Sequence, residues 1–102
     1  MNIELLKKIG LTHNESLVYL TLIKLGTSKT GQILKASNLN SGKIYEILEN
    51  LKNKGLAGES IINKVRYFSA AHPSQLLEYL KKKKEEITQE EQEIASFLPE
   101  LE

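Results

Sequence analysis

The chain has 102 residues, with 14 Lys/Arg against 13 acids (every acid a glutamate), two histidines and no cysteine. That length bounds one small domain plus at most one further element, built on a modest core. Without cysteine there are no disulfides or thiolate metal sites, and the amino terminus lacks the apolar run of a signal peptide. No segment approaches membrane-spanning length, so a cytoplasmic protein with no membrane partner is expected.

The net charge of +1 conceals a division. Residues 1–70 carry ten Lys/Arg and five Glu, whereas residues 71–102 carry four Lys and eight Glu. A basic module suited to polyanions, followed by an acidic appendage, is the reading this supports.

In chain order, Ile3 to Ile9 predicts a short first helix ended by Gly10. Thr12 and Glu15 form a capping box for a second helix. Its apolar positions Leu17, Val18, Leu20, Leu22, Ile23 and Leu25 make it the buried spine, and Gly26 stops it. Thr27 and Ser28 offer hydroxyls to cap a third helix from Lys29 to Ser37, with Ile33, Leu34 and the following Leu39 facing inward. Asn38-Leu39-Asn40 is a tight turn, and Ser41 to Lys54 is a fourth helix that Asn40 and Ser41 can cap. At 100° per residue, Ile44, Ile47, Leu48 and Leu51 share one apolar sector of that helix. Gly42, Glu46, Glu49 and Asn53 lie opposite, flanked by Lys43 and Tyr45, and Gly55 closes the helix in a left-handed conformation.

Ala57 to Ile62 and Val65 to Ala70 read as two strands joined by the two-residue turn Asn63-Lys64. Pro73 opens a last helix that meets no breaker before Leu98. About 26 residues at 1.5 Å each make roughly 39 Å. Pro99 weighs against continuation to Leu101. Leu80, Ile87, Ile94 and Leu101 recur every seven residues, while Lys83 and Glu90 interrupt the second heptad seam of Leu76 and Phe97. Such a helix outreaches a 70-residue domain of radius of gyration about 11 Å. Only its first turns can pack at home, and the rest asks for a second subunit. Leu76, Leu80, Ile87, Ile94 and Phe97 are therefore the expected homodimer interface.

Helix, tight turn, helix and hairpin together define the expected fold: a mainly α winged helix-turn-helix with an α+β wing and a long carboxy-terminal dimerisation helix. Residues 1–71 would form the DNA-binding domain and residues 72–102 the amphipathic, coiled-coil-like helix. The second helix of such a motif commonly enters the major groove. Candidate contacts to duplex DNA follow from chemistry. Asn40, Ser41 and Gly42 suit a phosphate at a helix start, with Gly42 allowing close approach. Lys43 can reach a phosphate or guanine edge, Tyr45 a phosphate oxygen or thymine methyl, and Glu46 a cytosine amino group. Lys29 and Thr30 begin the helix that crosses the backbone, and Lys64 and Arg66 place cations near the wing tip. Glu46 and Glu49 oppose binding unless they accept from cytosine or pair with Lys43 and Lys52. A winged-helix module for protein–protein interaction, or a component of the basal transcription machinery, shares the fold and stands as the alternative.

His13 and His72 have no partners at metal-ligand spacing, and they read as surface or capping residues. A Ser-His-Asp arrangement is impossible without Asp, and there is no Gly-rich phosphate loop. No enzyme, cofactor, metal or small-molecule ligand is expected.

The segments Ile9-Gly-Leu-Thr-His-Asn-Glu-Ser-Leu-Val-Tyr-Leu20, Lys43-Ile-Tyr-Glu-Ile-Leu48 and Leu51-Lys-Asn-Lys-Gly-Leu56 together resemble the amino-terminal domain of the TrmB-like, sugar-specific transcriptional regulators. Arg66-Tyr-Phe68 and Pro73 leading into Leu76-Leu77 extend the likeness over nearly all of residues 3–98. The resemblance implies a winged helix, DNA binding through the helix holding Lys43 and Tyr45, and dimerisation through the long helix. Longer members carry a carboxy-terminal domain that binds sugars, and since this chain ends at Glu102, no effector domain or sugar sensing is expected of it. Asn40-Ser-Gly42 is also less basic than the Arg-containing form common in the family.

Overall fold

The computed structural model describes residues 3–102; Met1 and Asn2 of the expected 1–71 unit lie outside the described residues. The elements follow the expected order. They are α1 (Ile3–Lys8), α2 (His13–Leu25), α3 (Thr30–Ser37), a 3-10 turn (Ser41–Lys43) running into α4 (Ile44–Asn53), the strands β1 (Ala57–Ile62) and β2 (Val65–Ala70), and α5 (Gln75–Leu101).

The capping box forms as its residues predict. The Glu15 N–H donates to Thr12 Oγ1 at 3.0 Å, and the Thr12 N–H donates to Glu15 Oε1 at 3.0 Å. On α2 the buried face is narrower than the apolar pattern suggests. Val18, Tyr19 and Leu22 are buried, Leu17, Leu20 and Ile23 are half-buried, and Leu25 is exposed. A helix apolar nearly all round does not reveal which side its neighbours cover, and here that side runs through Tyr19. The sector of α4 is correct: Ile44, Ile47, Leu48 and Leu51 are all buried, and they join Ile33, Leu56 and Phe68 in one core. Glu15 is also buried, and its carboxylate meets Lys54 Nζ at 2.6 Å, tying the start of α2 to the residue that ends α4. Burial pushes this carboxyl up, but the bonds from Lys54 and from the Thr12 N–H outweigh it and leave Glu15 below its ordinary range.

Both serine caps are corrected. Ser28 is buried, its hydroxyl donates to the Gly26 carbonyl at 2.9 Å, and its main chain pairs with Phe68 through bonds of 2.9 and 2.8 Å. With Ser28 committed to the wing, the first turn of α3 closes through Gln32, whose side-chain oxygen accepts from the Lys29 N–H at 3.0 Å. Neither Asn40 nor Ser41 makes a side-chain cap, because the expected Ser41–Lys54 helix begins as a tight 3-10 turn in which the Ile44 N–H reaches the Ser41 carbonyl.

The hairpin pairs Ala57 with Ala70 through to Ile62 with Val65, leaving Asn63 and Lys64 as the turn at φ 52° and 66°. Two consecutive positive φ values give the primed turn whose twist matches the strands. By alternation, Glu59, Arg66 and Phe68 share the face toward the helices, while Ile62, Val65 and Tyr67 share the other. Gly55 ends α4 at φ 75°, where a side chain would be strained.

The long helix is displaced relative to expectation. It starts at Gln75; Pro73 lies in the preceding turn, where His72 Nδ1 accepts from the Ser74 N–H at 3.1 Å. It then continues through Pro99 to Leu101. Proline there sits in the last turn, so its missing N–H frees only the exposed Ala95 carbonyl, which water can serve. Leu76 and Tyr79 pack on the core, and Lys83 Nζ donates to the Ile9 carbonyl at 2.8 Å, capping α1. Gly10 permits that approach: a Cβ on it would fall 2.5 Å from Lys83 Nζ. Every residue from Lys84 onward is exposed, and the molecule measures 56 × 30 × 27 Å. Among the described residues, no helix is long and apolar enough to cross a membrane.

Candidate nucleic-acid interface

Three elements converge on one face. The Ser28–Phe68 bridge holds β2 against the start of α3, and α4 packs on α2 and β1 beside them. Between them runs an open groove of about 710 Å³ lined by Lys29, Thr30 and Lys35 of the α3 region, Tyr45 of α4, and Lys64 and Arg66 of the wing. Four cations line this groove and no carboxylate does. Such a concavity concentrates positive potential and suits a polyanionic backbone.

Its side chains are braced from below. Tyr45 is exposed, with its hydroxyl 3.5 Å from Thr30 Oγ1 and its ring 5.0 Å from the Arg66 guanidinium, which also lies 5.2 Å from the Phe68 ring. Lys29 Nζ lies 5.8 Å from the Tyr67 ring. Arg66 is not a free cation. It donates to both Glu59 oxygens and to Glu49 at 3.4 Å, while Lys52 donates to Glu59 at 2.6 Å and to Glu49 at 3.2 Å. Arg66 first, then Lys52, holds the Glu59 carboxyl down at about 2. The cluster of two acids and two bases is neutral as a unit, so Glu49 presents no uncompensated charge to an approaching strand.

Of the candidate DNA-binding residues, Lys29, Thr30, Tyr45, Lys64 and Arg66 are brought together in the groove. Asn40, Ser41, Gly42, Lys43 and Glu46 lie outside it, exposed along the 3-10 turn and the first turn of α4. The sequence reading missed Lys35. Nothing in the local pattern of α3 shows that the wing folds back beside it, because the main-chain bridge at Ser28 decides that.

A helix-turn-helix with a hairpin wing and a cation-lined groove between them defines a winged-helix DNA-binding module. A family profile described as "Sugar-specific transcriptional regulator TrmB" matches residues 6–74, so the chain belongs to that family of transcription regulators. It is 38% identical over 76 residues to an "HTH-type sugar sensing transcriptional regulator TrmBL1" of Pyrococcus furiosus, covering 74% of this chain and 22% of that protein. The chain thus spans about a fifth of the length of that curated relative. Its fold matches the structure of TrmBL2, described as an archaeal chromatin protein with a novel mode of DNA binding, at a TM-score of 0.77 and 25% identity over 96% of this chain and 38% of that one. YusO of Bacillus subtilis (TM-score 0.61, 19% identity, 97% and 79% covered) and BpsR of Bordetella bronchiseptica (0.59, 19%, 89% and 79%) share the fold.

Proposed function

We propose that this chain binds duplex DNA as a homodimer, each copy presenting α4 and the wing, and that phosphate contacts from lysine supply most of the affinity. The observation that carries this reading is the groove with four cations and no acid between the start of α3, Tyr45 and the wing tip. Around it, Lys43 stands exposed at the α4 start, placed for a phosphate or a guanine edge. Tyr45, leaning on Thr30 and Arg66, offers a fixed aromatic ring to a thymine methyl or a phosphate oxygen. Asn40, Ser41 and Gly42 supply close backbone approach, and among the described residues Glu46 is an exposed acid of this face that forms no ion pair. The dimer reading rests on the exposed apolar side chains Leu80, Ile87, Ile94 and Phe97 along a helix that leaves its own domain; Leu76 is spent on the core of its own copy.

Titration of a duplex against the protein at two salt concentrations tests this reading. Phosphate binding falls steeply with salt through counterion release, whereas a protein-interaction module shows negligible duplex affinity at either concentration. Lys43→Glu is expected to abolish the gel shift with helicity intact. An unchanged shift would remove α4 from the interface.

A further inference from the structure

Charge is sorted along α5. Four lysines, 81–84, precede seven glutamates between 85 and 102. The exposed apolar series Leu80, Ile87, Ile94 and Leu101 runs through both blocks and is symmetric about the point between Glu90 and Glu91. At the root of this free segment, Ile9, Leu80 and Ile87 line a groove of about 470 Å³ whose rim carries three bases, Lys8, Lys83 and Lys84, against one acid, Glu91.

We propose that α5 pairs antiparallel with α5 of a second copy, centred between Glu90 and Glu91, and that this groove receives the acidic apolar end of the partner helix. The inference rests on the homodimer reading above and adds its orientation and register. In that register the partner's Leu101 lies opposite Leu80 and the partner's Ile94 opposite Ile87, so all four apolar levels are matched. Lys81 then lies opposite the partner's Glu100, and Lys84 lies along the partner's Phe97. A parallel pair would set four lysines against four lysines and glutamates against glutamates, which is unfavourable along a helix interface. The central glutamates meet in either orientation and do not discriminate.

The register also sets the spacing of the two domains. The segment that grips the core, Leu76 to Lys83, is centred about 11 residues from the two-fold point. Doubling that at 1.5 Å per residue separates the two anchor points by about 33 Å. One turn of duplex DNA, which separates two half-sites, is about 34 Å.

Because the natural chain has no cysteine, single introduced thiols report the pairing directly. The experiment mixes Leu80→Cys and Leu101→Cys proteins under mild oxidation, tests each alone, and adds Glu90→Cys. Antiparallel pairing predicts an 80–101 heterodisulfide, a Glu90→Cys homodisulfide, and no homodisulfide at 80 or 101, where like positions lie about 31 Å apart along the axis. Homodisulfides at both 80 and 101 overturn the proposal in favour of a parallel pair. A dimer by light scattering with none of these cross-links also overturns it. A monomer at every concentration would sink the homodimer reading as well, while duplex titration of the same sample reports separately on DNA binding.

Discussion

Lys64→Gly separates the two roles of the wing tip, because the folded turn and the DNA should respond in opposite directions. Lys64 holds φ 66°, a left-handed conformation that costs a residue with a Cβ roughly 1–2 kcal/mol. Glycine removes that strain but loses about 0.4–1 kcal/mol through the freer unfolded chain. The net is a gain of about 0.5–1 kcal/mol, or roughly 4 °C in Tm for a chain of this size. Asn-Gly is the favoured pair for this turn, so the hairpin keeps its register. On DNA, in the proposed dimeric binding mode, the substitution should delete one phosphate contact per copy and two per dimer. The slope of log K against log salt should flatten by about 1.8, which corresponds to on the order of fifty-fold weaker binding at 0.1 M salt. Calorimetry gives the first quantity and fluorescence anisotropy at four salt concentrations gives the second. An unchanged salt slope would show that the wing tip does not touch phosphate, and a lower Tm would refute the strain argument.

Other outcomes follow from the same geometry. Glu59→Gln removes the main acceptor of Arg66 and releases that guanidinium into the groove, so duplex affinity should rise several-fold with a steeper salt slope; unchanged affinity would show that Arg66 faces no phosphate. Lys54→Met leaves the buried Glu15 carboxylate unpaired and should cost about 3 kcal/mol in urea unfolding at pH 7, near the low end for such pairs because Lys54 is partly exposed. Since the folded Glu15 carboxyl is depressed, the pair contributes fully above its unfolded pKa of about 4.3 and loses that contribution as pH falls below it; the cost of Lys54→Met should therefore shrink as pH is lowered through that value. Phe68→Ala removes the fully buried ring that seats the wing and should cost about 3–5 kcal/mol by thermal melting. Truncation after Lys84 keeps the Lys83–Ile9 bond and should give a folded monomer by light scattering; a persisting dimer would move the interface to α1.

Local pattern was enough for much of this protein. The capping box at Thr12, the apolar sector of α4, the left-handed Gly55 and the Asn63-Lys64 turn each depend on a few neighbouring residues, and the order of elements then admits a winged helix-turn-helix. Tertiary contacts decided the rest. The fate of Ser28 depended on Phe68, forty residues away, and through that bridge the wing came to lie beside Lys35. Arg66 reads as a free cation in sequence because its acceptors, Glu49 and Glu59, become neighbours only once β1, β2 and α4 have packed together. Periodicity states what a residue can bury or cap, whereas the use of a charge depends on distances that chain connectivity alone does not set.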